Sequence, residues 1–198
     1  MRLSVLLAFL LTAASAQAQP TFSRSFAPNA IGPGSQTTLT YFLTNPEPVR
    51  IDGLAFTDSF AGQEGVGAGL MVASPAQATT TCPAEQGGAV VLTATEGSSV
   101  VSFSGASLPA GASCTVTVNA TASTPAVYET SAVLSSSVGD SQPASATLTV
   151  DANRIGFTKS FAPASVPFGG RSRLTYVLDA SASGNSFNSL AVTDMLPE

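Results

Sequence analysis

Histidine and tryptophan are absent from the 198 residues, lysine occurs once, and charged residues make up only 10% of the chain. Each shortage narrows the chemistry. Without histidine there is no Ser-His-Asp or Cys-His nucleophile, and nothing to complete a zinc site beside two cysteines. Without tryptophan the chain lacks a ring that sugar-binding faces favour, which lowers the weight of a carbohydrate partner. The formal charge is −5, and loss of Arg2 by processing makes it −6; that balance argues against nucleic acid and against anionic lipid. A Ser-Lys pair could be built only through Lys159, the sole lysine.

Long apolar runs are missing too. Leu3–Leu11 is the longest, and it is too short to span a bilayer. With Arg2 before it and Ala16-Gln17-Ala18 after it, the stretch reads as a signal peptide over residues 1–18, and the mature chain starts at Gln19. The expectation is therefore an exported protein, secreted or held at a cell surface, with any anchor beyond Glu198. Cysteine is scarce as well: Cys82 and Cys114, an even count in an exported chain, read as one disulfide. Closing that loop stabilises a fold by about 3–4 kcal/mol on the chain-entropy account.

What the chain does have is Ala, Ser, Thr and Gly, and alternation of apolar with polar residues between Gly, Pro and Ser clusters. That is the pattern of short strands in a sandwich. Strands are expected at Phe22–Phe26, Gln36–Thr44 and Ile51–Asp58, and a short one at Leu70–Val72 with another at Thr79–Cys82. Ala89–Thr95 and Val100–Gly105 form a hairpin around Glu96-Gly97, with Gly62–Gly69 left as a loop. The clearest alternation follows, with Cys114, Val116, Val118 and Ala120 facing one way and Thr115, Thr117, Asn119 and Thr121 the other. Val127–Leu134 and Ala146–Val150 close the set. Tyr128 is placed either as a tyrosine corner, bonded back to the backbone, or as a half-buried core residue. Leu39, Tyr41, Leu54, Phe56, Val116 and Val118 are the expected core.

The opening stretch occurs twice. Phe22-Ser-Arg-Ser-Phe-Ala-Pro28 returns as Phe157-Thr-Lys-Ser-Phe-Ala-Pro163. Ile31 matches Val166, Gly34 matches Gly169, and Leu39-Thr40-Tyr41 matches Leu174-Thr175-Tyr176. After a one-residue insertion, Leu54-Ala-Phe-Thr-Asp58 matches Leu190-Ala-Val-Thr-Asp194. A period well over a hundred residues is the length of a domain. The expected fold is thus all-β: an antiparallel two-sheet β-sandwich over residues 19–151, Ig-like by the family resemblance its motifs carry, a linker over 152–156, and a truncated second repeat over 157–198. Too little chain is left in the second unit to close a core.

These motifs, with the strand Ala110-Gly-Ala-Ser-Cys-Thr-Val116, resemble the bacterial surface repeats catalogued as domain of unknown function eleven. The resemblance implies Ig-like modules in tandem, in large secreted or surface proteins, with no catalytic residues; it also matches Cys82 as the partner of Cys114. The second repeat departs from the pattern where Asp179-Ala-Ser replaces the usual Asn-Pro.

Other candidate chemistry is thin. Arg24 stands where the second copy has Lys159, which reads as a solvated strand face and speaks against a Lys-Asp or Lys-Asn isopeptide crosslink. With Phe22 and Phe26 turned inward, Arg24 is expected at a sheet edge, its stem packed and its head in water, on a strand that crosses or bulges midway. Asp52 with Asp58, or Glu85 with Glu96, would make carboxylate pairs only if the fold joined them. Asp151 and Asn153, with Asp140 or Glu129, fall short of the six to eight oxygens calcium takes. Asn119-Ala-Thr121 matches a glycosylation sequon by chance. No catalytic residue, cofactor or metal is assigned. The expected function is a non-catalytic structural or adhesive repeat whose partners are neighbouring repeats, or a surface protein or polysaccharide. The alternative is a ligand- or polysaccharide-binding accessory module of a larger secreted enzyme.

Overall fold

The computed structural model describes residues 19–60, 69–184 and 186–196. The expected signal peptide and most of the Gly62–Gly69 loop lie outside these residues. The described chain is all strand and turn, with no helix.

Alternation sets the first layer. β1 (Thr21–Ala27) pairs with β3 (Gln36–Thr44), which pairs with β9 (Ser113–Thr121), all antiparallel and without a register shift. Two short strands, β5 (Met71–Val72) and β6 (Thr79–Thr80), add to the far edge of β9. The facing layer has two parts. β4 (Ile51–Ser59) pairs with β8 (Val100–Leu108), and β8 with β7 (Val91–Thr93). β10 (Ala126–Ala132) pairs with β11 (Ala144–Val150), which takes β2 (Ala30–Ile31) as a parallel neighbour. A bridge between Ala55 and Ser135 ties the two parts. The whole is an antiparallel Ig-like β-sandwich.

The core lies where the two inward faces meet. Leu39, Tyr41, Leu54, Phe56, Val116 and Val118 are all buried. Phe22, Tyr41, Phe56 and Phe103 form a chain of rings, with the Tyr41 and Phe56 centroids 4.5 Å apart. Cys82 and Cys114 are joined in a disulfide that ties the segment after β6 to β9. Tyr128 is fully buried at the start of β10, and its hydroxyl donates to the Thr124 carbonyl oxygen at 2.8 Å. That is the tyrosine corner. Asn45, also buried, donates to the carbonyls of Val49, Leu108 and Pro109 and accepts from the Glu47 amide, holding the proline-rich turn after β3.

The chain enters this sandwich at one pole and leaves at the other. Gln19 sits beside Gln142, just before β11, while Thr149, near the end of β11, donates to Asn29. After Asp151 the chain turns into a hairpin of β12 (Gly156–Ala162) and β13 (Arg173–Asp179). Phe157 and Phe161 are expected inward but are 39% and 45% exposed, because no second layer covers the hairpin among the described residues. Residues beyond Asp151 are also expected to hang loosely. At the junction itself Gly156 is buried against Pro33, and the Phe157 amide donates to Ser35 Oγ at 2.8 Å, while the described residues after Gly156 are half-buried or exposed.

Candidate functional site

The densest polar chemistry among the described residues sits inside the sandwich, around Arg24. The sequence places Arg24 at an edge with its head in water, and the structure overturns that. β1 is indeed an edge strand, but its ladder with β3 runs without a bulge, so Arg24 points inward between Phe22 and Phe26. Its side chain is fully buried against Asp58 of β4, whose side chain is fully buried as well. The facing layer supplies the reason. Asp58 gives the guanidinium a counter-charge, Thr130 Oγ1 accepts from Nη2 at 2.7 Å, and the Ala144 carbonyl lies 3.4 Å from Nη1. A buried charge survives only when paired and hydrogen-bonded in this way.

Tyr41 completes the cluster. Its hydroxyl donates to Asp58 Oδ2 at 2.7 Å, and its ring lies 5.3 Å below the Arg24 guanidinium carbon. Burial, with the Asp58 charge beside it, pushes the Tyr41 hydroxyl far above the usual phenol range. Burial also raises Asp58, against the pull of the Arg24 charge and of the Tyr41 hydrogen bond. Among the described residues, Arg24 Nε and Asp58 Oδ1 have no hydrogen-bond partner. The cluster spans both layers and is sealed from solvent. It can lock β1, β3, β4 and β10 together; a solute cannot reach it.

The same constellation is present a second time. Lys159 Nζ donates to Asp194 Oδ1 at 2.8 Å, and the Tyr176 hydroxyl donates to the other carboxylate oxygen. Phe157 and Tyr176 stack at 6.1 Å, where Phe22 and Tyr41 stack at 6.2 Å. Here the pair is partly exposed, at 34% and 21%. The hydrogen bonds from Lys159 and then Tyr176 hold the Asp194 carboxyl below its usual range. Arg24, Tyr41 and Asp58 thus map onto Lys159, Tyr176 and Asp194. All three positions recur in the repeated motifs, and that joint recurrence was the signal a strand-face reading missed.

The other candidates fall elsewhere. Asp58 is buried while Asp52 is exposed and paired with Arg50, so they form no carboxylate pair. Glu85 accepts from the Gly53 amide and Glu96 from Ser74 Oγ, on different loops. Asp151 caps its own turn through the Asn153 amide and lies 3.8 Å from Arg154. No group of three or more acidic, His or Cys residues suited to a metal ion occurs among the described residues. Asn119 bonds to Gln77 Oε1 and lies 3.2 Å from Thr38 Oγ1.

A family model described as a domain of unknown function (DUF7933) matches residues 20–150, which is the sandwich with its sealed cluster. The chain belongs to that family. DUF7933 membership thus covers β1 to β11 and stops before the junction with β12. No curated protein matches the chain significantly. Two solved structures give an idea of its distant likenesses. One is AvmM, described as catalysing macrocyclization in alchivemycin A biosynthesis, at 12% identity and TM-score 0.37, covering 69% of this chain and 90% of that one. The other is the seventh ScaB type I cohesin from Pseudobacteroides cellulosolvens, at 13% identity and TM-score 0.34, covering 66% and 93%. Likenesses this remote carry no argument about the DUF7933 module.

One surface feature was not legible from the strands one by one. The outward face of the β1-β3-β9-β6 layer has no charged residue. Ser25, Thr40, Thr117 and Thr79 lie in one row across it, and Ser23, Phe42 and Thr115 in the next, leading to Thr81. Thr79 and Thr117 share a hydrogen bond of 2.8 Å, and Phe42 is 49% exposed in the middle.

Proposed function

We propose that the chain is a non-catalytic structural or adhesive repeat, exported by residues 1–18 and acting as a spacer or interaction module at a cell surface. The single observation that carries this reading is the recurrence of the cation–tyrosine–carboxylate cluster. The buried Arg24, Tyr41 and Asp58 hold the two layers of the first module together, and the same three positions pair again in the repeat. A resemblance to the bacterial surface repeats of domain of unknown function eleven, carried by the Phe-x-Arg/Lys-Ser-Phe-Ala-Pro opening, supports the same reading, although the family model that matches is DUF7933. Its partners would be neighbouring repeats.

A second reading, a module that binds a neutral polysaccharide, is favoured by the uncharged hydroxyl face around Phe42. One replacement experiment separates the two. Residues 20–150 are exchanged, on the exporting cell, for an unrelated sandwich of equal end-to-end length. Retained surface display and adhesion support the spacer. Loss that Phe42→Ala in the native module reproduces supports the binding face. Amino-terminal sequencing of exported material tests the leader, with Gln19 as the expected first residue.

A further inference from the structure

The turn after β2 and the start of β12 touch backbone to backbone. Gly32 and Gly156 are both buried. A Cβ on Gly32 would stand 2.2 Å from the Ile155 carbonyl oxygen, and one on Gly156 would stand 2.1 Å from the Pro33 carbonyl oxygen. Neither distance leaves room for any side chain, so the contact exists only because both residues are glycine. Ser35 adds direction, since its hydroxyl accepts the Phe157 amide at 2.8 Å. The turn is itself held from behind: Gly34 donates to the Ala122 carbonyl, and Thr121 Oγ1 to the Ser35 carbonyl. On the other flank the Asp151 amide donates to Ile31.

The repeat shows that these are not generic module residues. The counterpart of Gly156 in the first copy is Thr21, directly before the Phe22 that matches Phe157. The counterparts of Gly32 and Ser35 in the second copy are Pro167 and Gly170. The two copies therefore differ at the three positions the contact needs. A module opening on threonine could not seat itself here, and a turn carrying Pro167 and Gly170 could not receive one in this way.

We infer that Gly32–Ser35 is a docking surface for the opening strand of the next module, specific for glycine at the position before its first phenylalanine, and that it makes the junction a fixed joint. This deepens the spacer reading and rests on its modular premise: the joint would set one orientation between successive modules.

The test is backbone 15N relaxation on the mature full chain. In the native protein the amides of β12 and β13 should share the rotational correlation time of β1 to β11. Gly156→Thr, which restores the first copy's residue, and Gly32→Ala, in the first module, should each shorten it for β12 and β13 alone. Ser35→Ala should do so less. Two results overturn the inference: β12–β13 amides that already tumble independently in the native chain, or glycine variants in which both units still tumble as one. The first result leaves a flexibly jointed spacer and the second a spacer jointed rigidly by other contacts, whereas the spacer reading itself falls only in the replacement experiment.

Discussion

Arg24→Met keeps a stem of similar reach and removes the charge, so it isolates what the buried pair does. It leaves Asp58 with only the Tyr41 hydroxyl as donor and leaves Thr130 Oγ1 without its guanidinium. Removing one partner of a buried pair costs about 3–5 kcal/mol. The carboxyl has one escape, which is to take a proton. Holding neutral at pH 7 a group whose ordinary pKa is 3.8 costs about 4 kcal/mol. The expected loss at pH 7 is therefore about 3–4 kcal/mol, within both limits. For a module of this size that lowers the melting temperature by about 10–15 °C. At pH 4 protonation is nearly free, and only lost packing and hydrogen bonds remain, about 1–2 kcal/mol. The sign is consistent with the native protein. Asp58 is raised by burial, so its contribution is fully present below the unfolded pKa and is lost as pH rises through the folded one. Without Arg24 to oppose burial, that fall with pH becomes steeper. Thermal melts of both proteins by circular dichroism between pH 4 and pH 7 read this directly. A penalty that is the same at every pH, or a melt within about 2 °C of native at pH 7, would refute the reasoning. The triple variant Arg24→Met, Tyr41→Phe, Asp58→Leu should recover much of the loss, because no charged group is then stranded and only Thr130 Oγ1 has lost its partner.

Reducing the Cys82–Cys114 disulfide should lower stability by about 3–4 kcal/mol, seen as an earlier urea midpoint with reductant present. Tyr128→Phe removes the corner hydrogen bond to Thr124 and should cost about 1 kcal/mol by the same assay; no change would demote the corner to simple packing. In the second unit acid acts in the opposite sense from Asp58. Asp194 is held below its usual range by Lys159 and Tyr176, so its contact is present above the unfolded value and is lost as pH falls through the lowered one. Side-chain NMR shifts of Lys159 and Tyr176 should therefore move in acid while the first module stays folded.

The strands were legible where one face is buried and the other wet. β3 and β9 alternate without interruption, and their bounds and inward residues stand as the alternation implies. β2 was not legible: two residues say nothing locally, and their parallel pairing depends on β11, far along the chain. Arg24 was misplaced for a related reason. Its strand, its face and its edge position follow from Phe22 and Phe26, but burial of its head depends on Asp58 in the opposite layer and Thr130 further on. The docking of β12 was missed because a glycine before a strand reads as linker until something is seen to press against it. The hydroxyl face needed residues from four strands to be set side by side.

The polar arrangement of entry and exit has a mechanical consequence. A pull between Gln19 and Asp151 runs lengthwise along β1 and β11, because the chain comes in beside Gln142 and goes out beside Ile31. Hydrogen bonds between strands lie across that direction. The load therefore falls on all seven pairs of the β1–β3 ladder in shear, with the Arg24–Asp58 contact as a bolt through the middle, rather than on one bond at a time at an end. A module strung this way yields late and all at once.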